Sequence, residues 1–365
     1  MAADSLSAIS SALTRSFGAR LIKAWNRQAV LARLLNVVSD DGQGEAKEIA
    51  WDVAFSGATA ASFAEGSDVA AGEFNQDPLI PAILPWGQYR APFKLSNLEI
   101  NAAAKNMGGP AQLANIIGLR LEGSLTKMIS QINADLFTGT GLDGSSNPNI
   151  IGLQTALAPT GTYAGIAKGT YTEWSGNVLA NGGVARPLTL DLLYNLEQLI
   201  FTSSGMFPSV IVTTAGVARK YAGLFETIRR TSDAGMGPIG QFNGGTMGSG
   251  QMYPSGPPAQ DLFWRGIPVI RDRNCPTGNL FMITQSEMEI RPLPFAAAFA
   301  NLPGGAAPTQ LPSSNGNQPV NTPITCAVYP LARNGSSVPF NAEVYLNLKV
   351  SRVNAHGMLQ DISEV

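Results

Sequence analysis

The sequence predicts an α+β protein of two packed units, the first interrupted by the second. Three observations carry this expectation. Residues 111–137 form one long amphipathic helix, set after stretches of short, strand-like alternation. A helix–strand–helix series with its own apolar pattern follows from Ile151 onward. The chain then closes on AEVYLNLKVSRVNAHGMLQDI, which alternates as long strands and returns to the first unit. A length of 365 residues exceeds a typical single domain and accommodates two units.

Residues 1–38 place apolar anchors (Leu21, Ile22, Trp25, Val30, Leu34 and Leu35) at helical spacing. Arg15, Arg20, Lys23, Arg27 and Arg33 are opposed there only by Asp4, so this arm is locally basic. A turn-rich break at Ser39–Gly44 ends it. From Glu48 to Tyr89 the chain carries Glu48, Asp52, Glu65, Asp68, Glu73 and Asp77 and no Lys or Arg. IAWDVAF and FNQDPLIPAILPW read as edge-like strands joined by loops, since proline cannot donate to a ladder. The middle of this segment is rich in Ala and Gly and poor in large apolar residues. It cannot build a core alone and must lie on something else.

Gly109 and Pro110 mark a helix start, because proline suits the first turn. Leu113, Ile117, Leu121, Leu125, Met128 or Ile129, Ile132 and Leu136 recur at three- and four-residue intervals, and Gly139 stops the run. At 1.5 Å per residue this helix is roughly 40 Å long. The second unit contains a helix at Leu188–Thr202, a buried-type strand at Ser209–Thr213 and a helix at Ala215–Arg230. A Gly-rich loop from Asp233 to Pro258, the strands RGIPVIRD and NLFMITQ, and a loop at residues 303–323 follow.

Charged residues make up only 14% of the chain, against about 25% in typical soluble domains. That favours a surface largely covered by partners, although abundant loops produce the same figure. The net charge of −2 supplies no global field for nucleic acid or an acidic membrane. The longest apolar stretches, such as Phe295–Ala300, are far below the ~20 residues a spanning helix needs, and no signal peptide is visible. A soluble protein made in the cytoplasm, with no membrane contact, is expected. Cys275 and Cys326 are too few and too isolated for a disulfide framework or a zinc site.

Searches for chemistry fail in turn. The single histidine, His356, lies in the alternating C-terminal segment and reads as an ordinary strand residue. G-x-S-x-G and Walker A motifs are absent. The two G-x-G-x-x-G matches, Gly139–Gly144 and Gly235–Gly240, lack the strand before and helix after that a dinucleotide site requires. Asp40–Asp41 reads as a solvated turn. No catalytic residue, cofactor or metal is expected. The basic arm is equally consistent with nonspecific phosphate contacts and with a solvated helix face.

The order of these elements resembles tailed-phage major capsid proteins over essentially the whole chain. Helix 111–137 running into DLFTGTGLDGSSNPNIIGL looks like the family's spine helix and following loop. SSGMFPSVIVTTAGVARKYAGL is similar to its axial-domain segment, LFWRGIPVIRD and NLFMITQSEMEIRPL to a characteristic strand pair, and LKVSRVNAHGMLQDI to its long return strand. The resemblance implies the Hong Kong 97-like fold, an α+β architecture. It assigns residues 1–47 to an N-terminal arm, 48–92 to an extended E-loop, 93–150 and 324–365 to a discontinuous peripheral domain, and 151–323 to an axial domain.

It further implies a non-enzymatic subunit that self-assembles into hexamers and pentamers of an icosahedral virion shell around double-stranded DNA, built in the cytoplasm of a bacterial host. The E-loop would lie over a neighbouring subunit and the arm beneath another. The acids Glu65, Asp68, Glu73 and Asp77 would seek a basic surface, for which Arg265, Arg271, Arg273 and Arg291 are candidates. Partners would be further copies of the chain, a separate scaffolding protein, a portal protein, packaged DNA through nonspecific contacts and, as further candidates, decoration proteins. Because the sequence opens directly on the arm, a fused scaffolding domain is not expected. Some members of the fold cross-link an E-loop lysine to an asparagine next door. No lysine lies between Lys47 and Lys94 here, so no such bond is expected unless one of those two serves. An encapsulin, a cellular nanocompartment of the same fold, is the nearest alternative. A nucleotide-binding enzyme and a monomeric binding module are more distant ones.

Overall fold

The structure is a computed structural model describing residues 30–38, 48–55, 62, 65–66, 79–105, 109–225, 262–293, 309–310, 325–331 and 335–365. Gly109–Thr138 is the long helix, within two residues of its predicted start and one of its predicted end. Leu121, Leu125, Met128, Ile129, Ile132 and Leu136 are buried along one stripe, as their spacing requires. At its end, a Cβ on Gly139 would lie 2.0 Å from the Ile150 carbonyl oxygen, and one on Gly152 would lie 2.4 Å from the Asp135 oxygen. The helix therefore stops on a glycine because the returning strand Pro148–Ile151 crosses it backbone to backbone.

Among the described residues the first sheet has seven strands, centred on Ser337–Val350. Met288–Pro292, Thr325–Pro330, Gly87–Arg90 and Phe93–Ser96 all pair with it antiparallel. Asn36–Val37 adds a parallel edge on Met288–Pro292, and Thr309–Gln310 a short edge on Thr325–Pro330. That last strand corrects the reading of residues 303–323 as pure loop. A two-residue pairing carries no periodicity from which a sequence could reveal it.

The second sheet has, among the described residues, six strands in the order Asn177–Leu179, Gly357–Leu359, Leu280–Ile283, Val210–Thr213, Ile267–Arg271 and Phe263–Trp264. Every residue of Val210–Thr213 is buried, because both faces of this sheet are covered. Val210, Val212, Phe281 and Ile283 join the core shared with the long helix and the first sheet. Ile211, Leu280 and Met282 face the helices Leu190–Ser204 and Ala215–Leu224 through Leu193, Leu196, Ile200, Val217 and Tyr221. The helix expected at Leu188–Thr202 starts at Leu190, where the Thr189 hydroxyl caps the Leu192 N–H, and ends on left-handed Gly205. The helix expected to reach Arg230 runs to Leu224, and residues beyond Phe225 up to 261 lie outside the described ones.

The closing segment also departs from expectation. The long strand ends at Val350, a 3₁₀ turn covers Val353–Ala355, and Gly357–Leu359 enters the second sheet instead of continuing the first. His356 lies between turn and strand, not within a strand.

Candidate assembly surfaces

Glu48–Val53 and Ile80–Pro85 form an antiparallel hairpin stem, in register from Glu48↔Pro85 to Val53↔Ile80. Its inward side chains Ile49, Ala82 and Leu84 join the first core, while Glu48 and Asp52 face solvent. The stem lies on the body of the protein, in keeping with a segment too poor in apolar residues to fold alone. Phe55 stacks on Tyr171 with ring centroids 4.3 Å apart and meets Trp174 edge-on at 5.6 Å. Ile83 N–H donates to the Ala164 carbonyl at 2.9 Å, and buried Asn347 donates from Nδ2 to the Pro85 carbonyl at 2.6 Å. The Lys349 ammonium sits 5.3 Å from the Trp51 ring centre and 3.0 Å from Glu289 Oε1.

The hairpin's support is itself held from within. Tyr163 donates through its hydroxyl to the Leu348 carbonyl and accepts from Val350 N–H, while Trp174 Nε1 donates to the Tyr163 carbonyl. Lys168, 1% exposed, donates from Nζ to the carbonyls of Thr155, Ala156 and Ala158 at 2.7–2.9 Å. These are the last carbonyls of the short helix Leu153–Leu157 and its C-cap, where the backbone's negative end favours a cation. Burial lowers the Lys168 pKa to about 8. Sequence reading missed this residue, because a lysine in a Gly-rich stretch looks like a solvated one.

Of the acids expected to dock, Glu65 is exposed, and Asp68, Glu73 and Asp77 lie outside the described residues. The four candidate arginines do not share one surface element. Arg265 is at the tip of the Phe263–Trp264/Ile267–Arg271 hairpin in left-handed geometry, with φ 49°. Its Nη1 donates to both oxygens of buried Glu197 at 3.0 and 3.2 Å, alongside Trp264 Nε1, and its guanidinium lies over Tyr194. Arg291 belongs to the first sheet, is largely buried, and donates from Nε to Glu289 Oε1 at 2.7 Å. Both arginines are thus engaged within the chain itself. Arg271 and Arg273 are exposed and have no ion pair among the described residues.

Arg15, Arg20, Lys23 and Arg27 lie outside the described residues, as does the side chain of Arg33. The arm's inner end is anchored. Leu31, Ala32 and Leu35 are buried, and Asp272, 2% exposed, accepts from Leu31 N–H at 3.0 Å, Asn133 Nδ2 at 3.1 Å and Asn274 N–H at 2.8 Å. One carboxylate therefore joins arm, long helix and second unit, and burial raises its pKa. Sequence reading also missed an exposed aromatic patch. Phe201 and Phe207 stack at 4.6 Å and are both about half exposed. Tyr194, seven residues before Phe201, falls on the same side of the helix, which was the available signal.

Catalytic geometry does not emerge among the described residues. His356 is fully buried, accepts Thr284 N–H through Nδ1, and is held neutral by burial, with its pKa lowered to about 3. Cys275 and Cys326 are unbridged, and burial raises both thiol pKa values, that of Cys326 to about 12. No cluster of His, Cys, Asp and Glu suited to a metal occurs there, and no helix there is long and apolar enough to cross a membrane. The Gly139–Gly144 match leads from a helix into a strand, the wrong context for a pyrophosphate, and Gly235–Gly240 lies outside the described residues.

No protein-family model matches the chain, and no curated protein does. Solved structures do. The capsid asymmetric unit of cyanophage A-1(L) matches at 18% identity and a TM-score of 0.68, covering 92% of this chain and 93% of that one. The capsid of the native GTA particle matches at 16% identity and 0.53, covering 92% and 90%. The SrpI encapsulin complex of Synechococcus elongatus PCC 7942 matches at 15% identity and 0.51, covering 92% and 88%. At such identities the likeness defines architecture, and the architecture is that of phage capsid proteins, the Hong Kong 97-like α+β fold.

Proposed function

We propose that this chain is the major capsid protein of a tailed phage. It has no enzymatic activity, assembles through hexamers and pentamers into an icosahedral virion head, and encloses double-stranded DNA. The observation that carries the reading is the end-to-end match to the cyanophage capsid subunit at near-equal length. The hairpin supports it, since its stem is rooted on the body while the sequence between its two strands carries Glu65, Asp68, Glu73 and Asp77 and no Lys or Arg. Docking that acidic segment on Arg271 and Arg273 of a neighbour would select partner and register through charge complementarity. A separate scaffolding protein and a portal complete the assembly, with decoration proteins as optional partners and DNA contacted nonspecifically by the basic arm. Assembly takes place in the bacterial cytoplasm.

Negative-stain electron microscopy of the purified protein, alone and with a scaffolding candidate, tests this. Closed shells or five- and six-membered rings are expected; small monodisperse particles under both conditions would overturn it. The encapsulin likeness supports a second reading, a nanocompartment shell. Nuclease-protected DNA inside native particles favours the phage head, and co-purifying cargo enzyme favours the compartment. Denaturing gels of boiled shells are expected to show single chains, and a lysine–asparagine bond found by mass spectrometry would refute the absence of cross-linking.

A further inference from the structure

We infer that Gly357–Glu364 is the closing segment of the second unit, and that its seating makes the subunit competent to assemble. The assembly half of this rests on the shell reading above. Every other strand of the second sheet is complete by Ile283, yet Gly357–Leu359 inserts between two of them. It pairs parallel with Asn177–Leu179 and antiparallel with Leu280–Met282. Its side chains seal both cores, Met358 on the side of the long helix and Leu359, with Ile362 beyond it, on the side of the two covering helices. The fit is close. A Cβ on Gly357 would lie 2.7 Å from Leu196 Cδ1 and 2.8 Å from Ile200 Cδ1.

The residues that follow are clasped by segments from three parts of the unit. Arg186 N–H donates to the Asp361 carbonyl at 2.7 Å, and Ser363 N–H returns a bond to the Arg186 carbonyl at 2.8 Å. Asp361 Oδ2 accepts from Asn181 and Gly183 N–H, and Ile362 N–H donates to the Gly278 carbonyl. Glu364 Oε1 accepts from the Thr214 hydroxyl at 2.6 Å and Gly278 N–H at 2.8 Å, at the start of the Ala215–Leu224 helix. Gly216 makes room for it, because a Cβ there would lie 2.3 Å from Glu364 Oε2.

Before this segment seats, Asn177–Leu179 has no neighbouring strand among the described residues and Leu280–Ile283 presents an open edge. The inner face of Leu190–Ser204 is uncovered at Leu196 and Ile200. An open strand edge leaves backbone donors and acceptors unpaired, and a subunit in that state lacks the finished second unit. Long-range pairing also forms slowly, because it must close a long loop first. Closure by a segment that follows the sheet's other described strands in sequence keeps incompletely folded subunits out of a growing shell.

Pulsed hydrogen exchange during refolding of the full chain, run beside light scattering, tests this. Amides of Leu193–Ile200 and Leu280–Ile283 are expected to gain protection in the same phase as Gly357–Leu359, with scattering rising only afterwards. Protection of Leu193–Ile200 in an earlier phase would overturn the closing role. Glu364→Ala is expected to slow that phase several-fold and delay scattering by the same factor, with Ser363→Ala unchanged. A Glu364→Ala phase at the unsubstituted rate would overturn the clasp. Coincident phases without any shells would remove the assembly half together with the shell reading and leave the closing order standing.

Discussion

Lys168→Met asks what a buried ammonium with no carboxylate partner among the described residues contributes to the root of the Glu48–Val53/Ile80–Pro85 hairpin. The substitution keeps an unbranched apolar stem and removes the group that donates to the Thr155, Ala156 and Ala158 carbonyls. An acceptor left unsatisfied costs about 1–3 kcal/mol when buried and less where water reaches it. Ala156 is fully buried, whereas Thr155 and Ala158 are half-buried, so the sum comes to about 3 kcal/mol. The substitution leaves neutral carbonyls and no uncompensated charge, so the larger cost of breaking a buried ion pair does not apply. The effect should propagate, because Ala164, four residues before Lys168, accepts Ile83 N–H from the hairpin stem.

Denaturant unfolding across a pH series measures both the size and the sign. Burial lowers the Lys168 pKa from 10.5 to about 8. Between those values the unfolded chain holds a proton that the folded chain has released, so Lys168's contribution to stability rises with pH across that window. The difference between unsubstituted protein and Lys168→Met should therefore grow from about pH 8 to about pH 10.5. A flat or shrinking difference would refute the reasoning, and would mean that the three carbonyls outweigh desolvation and keep the ammonium charged. Hydrogen exchange at Ile83 is the companion readout, with faster exchange expected in the variant.

Asp272→Ala removes the acceptor shared by Leu31 N–H, Asn133 Nδ2 and Asn274 N–H and should cost about 3 kcal/mol, with amides 31–35 losing protection first in native-state exchange. Gly139→Ala drives a Cβ into the Ile150 carbonyl and should lower stability by more than about 3 kcal/mol in calorimetry, whereas Gly144→Ala, which meets nothing within 4 Å, should be near neutral. Arg271→Glu combined with Arg273→Glu should leave subunit stability within about 0.5 kcal/mol while reducing shell yield, most strongly at low salt; an unchanged yield would remove this pair from the docking surface.

What the sequence revealed and what it concealed divide along a physical line. The long helix and the strand Val210–Thr213 were legible because a 3.6-residue period and an unbroken apolar run report burial locally, whatever lies across from them. The closing segment was misassigned for the same reason. Period-two alternation states which side chains share a face, and both sheets accept that pattern, so nothing in GML marks it for the second sheet. The arginines show the limit more sharply. Arg271 and Arg291 each occupy a strand with alternating apolar neighbours, and in sequence they are equivalent. One ends exposed, while the other lies beside Glu289, which also receives Lys349 from the adjacent strand. Charge on a strand stays available only if the neighbouring strand leaves it unpaired, and paired strand residues here lie up to 259 positions apart, as Gly87 and Leu346 do. Lys168 extends the point to the hairpin. Its partners are backbone carbonyls, which every residue carries, so no side-chain pattern could have announced that a lysine would be buried there.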